Sequence, residues 1–139
     1  MILAGIDTGV HTGVALWDTA KRSLIALHTF GIIDAMDFVW NTATSEGVTV
    51  FLEDARLRKW IPKEANLRQF KGRAMGAGSV TRDAAIWEEF LRKRGIPYHL
   101  VAPRHNRTKL NADAFARLTG WTLRTSSHAR DAAMLVFRR

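Results

Sequence analysis

Met1 to Ile6 is apolar and stops at Asp7, the pattern of a buried strand with a polar residue at its end. Thr8-Gly9 and Thr12-Gly13 carry turn chemistry, and the apolar pattern resumes from Val14 to Trp17 as a second strand. Asp18 to Arg22 is polar and turns the chain again, after which Ser23 to Phe30 reads as a third strand. Connections this short join antiparallel neighbours, so the first third of the chain predicts a three-strand meander.

The period then changes. Asp34 is placed to cap a helix running to about Thr44, with Asp37 in its first turn and Met36, Val39, Trp40 and Ala43 on its buried face. Val48 to Glu53 is β-branched and aromatic and predicts a fourth strand. A basic loop follows, then a long helix somewhere between Lys71 and Arg94, closed by basic residues and Gly95. Tyr98 to Ala102 is a fifth strand, stopped by Pro103. Asn111 to Leu118 and Ser127 to Arg138 are the last helices, with Asn111 and Ser127 as caps. The order β-β-β-α-β-α-β-α-α sets strands four and five parallel to the first, because each is reached through a helix. The expected fold is an α/β sheet with an antiparallel edge. No repeat or linker interrupts it, so residues 1–139 are expected to form one domain.

Composition narrows what such a domain does. At 139 residues and 47% hydrophobic it can bury a core without covalent staples. The absence of cysteine removes disulfides, thiolate metal sites and cysteine nucleophiles together. No apolar run approaches the roughly 20 residues that span a bilayer, and no basic-then-apolar leader precedes Asp7. A soluble cytoplasmic protein without a membrane partner is expected. Lys and Arg number 21 against 13 acids, for a net charge of +8. The excess is concentrated: Arg56, Arg58, Lys59, Lys63, Arg68, Lys71 and Arg73 fall in one stretch with a single acid, Glu64, and Arg104, Arg107 and Lys109 in another. Either stretch alone fits a solvated face; the two on an otherwise neutral domain point to a surface that binds nucleic-acid phosphates. Gly72, Gly76 and Gly78 of the long helix each cost about 1 kcal/mol against alanine. They imply close approach to the sheet, a partner helix or DNA.

Four groups are polar where their surroundings are apolar: Asp7 and Glu53 at strand ends, and His128 and Asp131 on one face of the last helix near its start. If strands one and four are neighbours, the two carboxylates meet at the centre of the sheet and the last helix can bring the other pair. Clustered carboxylates repel unless a cation holds them. Oxygen ligands with one imidazole suit magnesium or manganese, and two such ions about 3.5–4 Å apart are the recurring device for cutting a phosphodiester. Each residue alone has a plainer reading: Asp7 as a turn cap, Glu53 as a strand end entering a loop, His128 and Asp131 as first-turn surface residues. Their joint placement at matching element ends is the stronger signal. Other chemistries lack their patterns: there is no phosphate-binding loop, no dinucleotide fingerprint, no nucleophile elbow and no zinc-type histidine pair.

Gly5-Ile6-Asp7-Thr8-Gly9-Val10-His11-Thr12-Gly13-Val14-Ala15 resembles the first-strand signature of RuvC-type Holliday junction resolvases. Phe51-Leu52-Glu53-Asp54 resembles their fourth-strand glutamate, and Ser127-His128-Ala129-Arg130-Asp131-Ala132-Ala133 their last-helix motif, although many members carry aspartate where this chain has His128. The resemblance spans the chain in the right order and is closest to compact phage-encoded members. It implies a ribonuclease H-like fold, a mixed five-stranded sheet with three antiparallel and two parallel strands. It further implies a homodimer cutting opposed strands of a four-way junction with two magnesium ions per site, for which manganese may substitute. Asp7, Glu53, His128 and Asp131 would be the metal and catalytic residues. If phage-encoded, such a protein works in the bacterial host cytoplasm. The family's junction-contacting aromatic, just past the glutamate strand, has Trp60 as its nearest counterpart; Trp60 equally suits packing under its own loop. Competing expectations are a non-catalytic DNA-binding module of the same fold, or a nuclease for flaps, forks or RNA–DNA hybrids. Actin-like sugar kinases share the Gly-x-Asp-x-Gly strand but need a second comparable domain.

Overall fold

The computed structural model describes residues 1–58, 67–103 and 109–139, and of residues 67–77 the helical backbone alone. Strands β1 (Ile2–Asp7), β2 (Thr12–Asp18), β3 (Ser23–Phe30), β4 (Val48–Glu53) and β5 (Tyr98–Val101) form one sheet in the order β3-β2-β1-β4-β5. β1 pairs antiparallel with β2 and β2 with β3; β1 pairs parallel with β4 and β4 with β5. This is the expected mixed sheet. Helices α1 (Ile32–Ser45) and α2 (Leu67–Arg94) cover one face, and α3 (Ala112–Thr119) and α4 (Ser127–Val136) the other.

Strand alternation divides the core. Ile2, Ala4 and Ile6 of β1 join Val14 and Leu16 of β2 and Val48, Val50 and Leu52 of β4 under α1 and α2, against Met36, Val39, Trp87 and Leu91. The alternate residues Leu3, Ala15 and Trp17 turn to the other face and pack on Ala132, Ala133 and Val136 of α4 and Phe115 of α3. β1 is central and covered on both sides, which is why Met1 to Ile6 reads as an unbroken apolar run rather than an alternation.

Several boundaries differ from expectation. α1 begins at Ile32, and the backbone of Gly31 opens it without a side-chain cap: Ala35 N–H already bonds to the Gly31 carbonyl, so Asp34 lies inside the first turn as a dipole-favoured acid. Trp40 and Ala43 are half-buried at the edge of the core, and Ala35 lies fully inside it. α2 starts at Leu67, before the expected Lys71, and closes as expected: Gly95 takes the left-handed conformation with Ile96 N–H bonded to the Leu91 carbonyl. The cap of α4 is Ser126, whose hydroxyl accepts from Ala129 N–H at 3.0 Å; Ser127 is the first helical residue. Asn111 caps α3 as expected, accepting from Ala114 N–H at 2.8 Å. A Cβ at Gly78 would meet nothing within 4 Å, so that glycine makes no close approach among the described residues. No helix among the described residues is long and apolar enough to cross a membrane.

Candidate active site at the carboxyl ends of the central strands

Register explains why Asp7 and Glu53 share a neighbourhood. In the parallel pair β1–β4, Ile6 stands beside Leu52, so Asp7 and Glu53 are the next residues on adjacent strands at the carboxyl end of the sheet. Both follow a residue buried under α1 and α2, and the alternation turns both toward the α4 face.

Two glycines let α4 approach that face. A Cβ on Gly5 would lie 2.0 Å from the Ala132 carbonyl oxygen, and one on Gly13 would lie 2.0 Å from that of His128. No side chain fits at either position, so the helix rests directly on β1 and β2. His128 and Asp131, one turn apart, are thereby held above the strand ends. Ser126 ties the helix start to β3 through a short hydrogen bond to the Thr29 hydroxyl. Arg130 clamps the approach to the helix, donating from Nε to the Leu110 carbonyl at 2.9 Å and from Nη1 to the Thr125 carbonyl at 2.9 Å.

Within the cluster, His128 Nδ1 lies 3.1 Å from Asp7 Oδ2, and Lys109 Nζ lies 2.9 Å from Asp131 Oδ2. Burial pushes the Glu53 carboxyl up to about 6, and the negative charges of Asp7 and Asp131 push it the same way against Lys109 and Arg58. Burial also raises Asp7, opposed by its hydrogen bond to His128 and reinforced by Asp131. Each acid therefore feels the others. The His11 ring, on the turn between β1 and β2, lies 6.2 Å centroid to centroid from His128, while the Thr12 hydroxyl donates to the Gly9 carbonyl at 2.7 Å and shapes that turn. His11 was not singled out by sequence; its place inside the first-strand signature, four residues after Asp7, was the available signal.

Three carboxylates and an imidazole are the donor set of a hard divalent ion, and the upward shifts of Asp7 and Glu53 come first from burial and then from neighbouring carboxylates, both of which a bound cation would offset. The chemistry fits such an ion. As arranged, no three His, Cys, Asp or Glu groups among the described residues are grouped to hold one; Asp131 is paired with Lys109, and Asp7 lies against His128.

The basic residues fall into distinct groups. Arg56, expected on a phosphate-binding face, pairs within the chain with Asp54 Oδ2 at 2.7 Å and Glu88 Oε1 at 3.0 Å, and Glu88 also accepts from the Tyr98 hydroxyl at 3.0 Å. Asp54 is buried, so a cation beside it is required; burial alone would raise its carboxyl, and the bonds from Arg56 bring it below its ordinary value. This network fastens the exit of β4 to α2. Its sequence signal, Asp54 two residues before Arg56, is indistinguishable from a loop of mixed charge. Arg58 and Lys109 line a cavity of about 470 Å³ together with Glu53, Asp131, Leu110, Leu118 and Met134. Arg68, Lys71 and Arg73 lie on the α2 backbone. Lys59, Trp60, Lys63, Arg104 and Arg107 lie outside the described residues.

No family model matches the sequence, and no curated protein matches it significantly. Among solved structures the chain is similar to RuvC of Thermus thermophilus, at 17% identity and a TM-score of 0.58, over 99% of this chain and 92% of that one. It also matches the fowlpox virus Holliday junction resolvase at 14% identity and a TM-score of 0.40, over 85% of this chain and 73% of that one, a likeness too slight to argue from. The first likeness establishes the fold as the ribonuclease H-like sheet of RuvC.

Proposed function

We propose that the chain is a divalent-metal-dependent DNA endonuclease that acts on branched DNA, four-way junctions above all, as a homodimer nicking opposed strands. The observation that carries this reading is the convergence of Asp7, Glu53, His128 and Asp131, from three elements far apart in sequence, at one end of the sheet. The motif resemblance to RuvC-type resolvases supplies the junction and the dimer, whose twofold symmetry would set two sites on two strands.

Asp7, Glu53 and Asp131 would hold magnesium, with His128 completing the set. Bound there, such ions would supply activation of the attacking water and charge stabilisation for the leaving 3′-oxygen. The chain's own residues do the rest. His128, held through Nδ1 on Asp7, would offer its other ring nitrogen to the ion. Arg58 and Lys109, at the edge of the adjoining cavity, offer cations to the phosphates on either side of the cut.

The purified chain is expected to cut a synthetic four-way junction in magnesium, with matched nicks on opposed strands when products are mapped strand by strand. Asp7→Asn is expected to bind the junction and cut it at least about a thousandfold more slowly. Cutting by Asp7→Asn at the wild-type rate would overturn the site assignment. Binding without metal-dependent cleavage of junctions, flaps, forks or RNA–DNA hybrids would favour a non-catalytic binding module. A preference for flaps, forks or hybrids would keep the chemistry and change the substrate.

A further inference from the structure

We infer that Lys109 is an internal counter-cation that competes with the divalent ion for Asp131, so that the metal-free site is closed by the chain itself. The inference rests on the metal-dependent reading above and adds a regulatory contact to it. Lys109 Nζ stands 2.9 Å from Asp131 Oδ2, on one of the carboxylate oxygens an ion would need. The same ammonium is drawn by Asp7 and Glu53 as well as by Asp131, so it sits in the field of all three acids.

The two partners differ in freedom. The Asp131 side chain is 19% exposed and that of Lys109 is 76% exposed, so the carboxylate is held in place while the lysine stem reaches it through solvent. The backbone behind that stem is fixed, because Arg130, the residue before Asp131, binds the carbonyl of Leu110, the residue after Lys109. A tethered ammonium on a flexible stem thus returns to one carboxylate. An ion pair with one solvated partner is a weak lock, which a divalent ion of higher charge can displace. Occupancy of the carboxylate by one cation excludes the other, so each must weaken the other's hold by the same factor.

The test uses the full chain and Mn2+ alone, without DNA, with the free ion followed by electron paramagnetic resonance. Lys109→Met is expected to bind Mn2+ about tenfold more tightly than wild type, as removal of one positive charge at contact distance requires. Lys109→Arg, which keeps the charge, should stay near wild type. Lys21→Met, which removes a lysine paired with Asp18, should also leave the affinity unchanged. A melting curve for Lys109→Met matching wild type confirms that its fold is intact. If wild type binds Mn2+ and Lys109→Met binds it equally or more weakly, the competition is refuted while the metal-dependent reading survives. If neither protein binds Mn2+, both fall.

Discussion

Glu53 shows how one carboxyl can serve a site and weaken the fold that carries it. Its ordinary value is 4.5, and burial with Asp7 and Asp131 nearby pushes it up to about 6 in the folded, metal-free chain. Between those values the folded state binds more protons than the unfolded state. Stability is therefore highest below pH 4.5 as far as Glu53 is concerned, and falls as pH rises toward about 6. A shift of this size corresponds to about 2 kcal/mol; partial solvent access brings the expected cost nearer 1 kcal/mol. Asp7, raised for the same leading reason, acts in the same direction. Glu53→Gln should accordingly be about 1 kcal/mol more stable than wild type at neutral pH in a chelator, while losing cleavage. Urea unfolding at pH 4.5 and pH 7 checks this: the gap between the two proteins should be widest at the higher pH. Parallel profiles would mean that another group carries the pH dependence.

At the scale of elements, the site depends on how closely α4 lies on β1 and β2. Gly13→Ala must displace the helix or the strand, because its Cβ would fall 2.0 Å from the His128 carbonyl oxygen. A loss of about 3 kcal/mol or more in thermal unfolding is expected, together with loss of cleavage, since the displaced residue is one of the quartet. Gly78→Ala is the opposite case: it lies within α2 with open space around its Cβ, and alanine there should stabilise by about 1 kcal/mol. A loss instead would mean that other atoms, of this chain or a second molecule, pack against α2 at that point. This contrast marks what could be read from the sequence. All five strands and the parallel direction of β4 and β5 follow from apolar runs, turn residues and the helices between strands, which are local signals, whereas the adjacency of β1 and β4 is a condition the sequence leaves open and the sheet order supplies. The helix starts of α1 and α4 differ from expectation by three residues and by one, because Asp34 and Ser127 carry side chains as suited to a cap as any near them, while α1 opens on Gly31 and α4 on Ser126. The expected close approach at Gly72 and Gly76 falls outside the residues whose surroundings are described; the close approaches the structure shows are at Gly5 and Gly13, where nothing local distinguishes a packed glycine from a turn glycine. The Lys109–Asp131 and Arg56–Asp54–Glu88 pairings were illegible for a related reason: a charge in a basic run does not state whether its partner is DNA or a neighbouring acid.

Across the whole molecule, the +8 charge divides by what each cation faces. Arg56 lies within the basic stretch but is bound to two carboxylates, one of them buried, so its charge is already met inside the chain. Arg58, two residues on, is exposed and borders the cavity beside Glu53 and Asp131. Only cations that neutralise phosphate release counterions, and each such contact steepens the fall of log K with log salt by about 0.9 for duplex DNA. The two arginines should therefore separate cleanly in junction binding measured over a salt series in a chelator. Arg58→Gln should weaken binding and flatten the slope by about one per contacting subunit. Arg56→Gln should leave the slope of the folded protein unchanged and lower its stability by about 3 kcal/mol in urea, because Asp54 is left buried without its partner. An equal change of slope for both would mean that the Asp54–Arg56–Glu88 network opens on DNA. No change for Arg58 would place the phosphate path away from the cavity, toward the basic residues of α2.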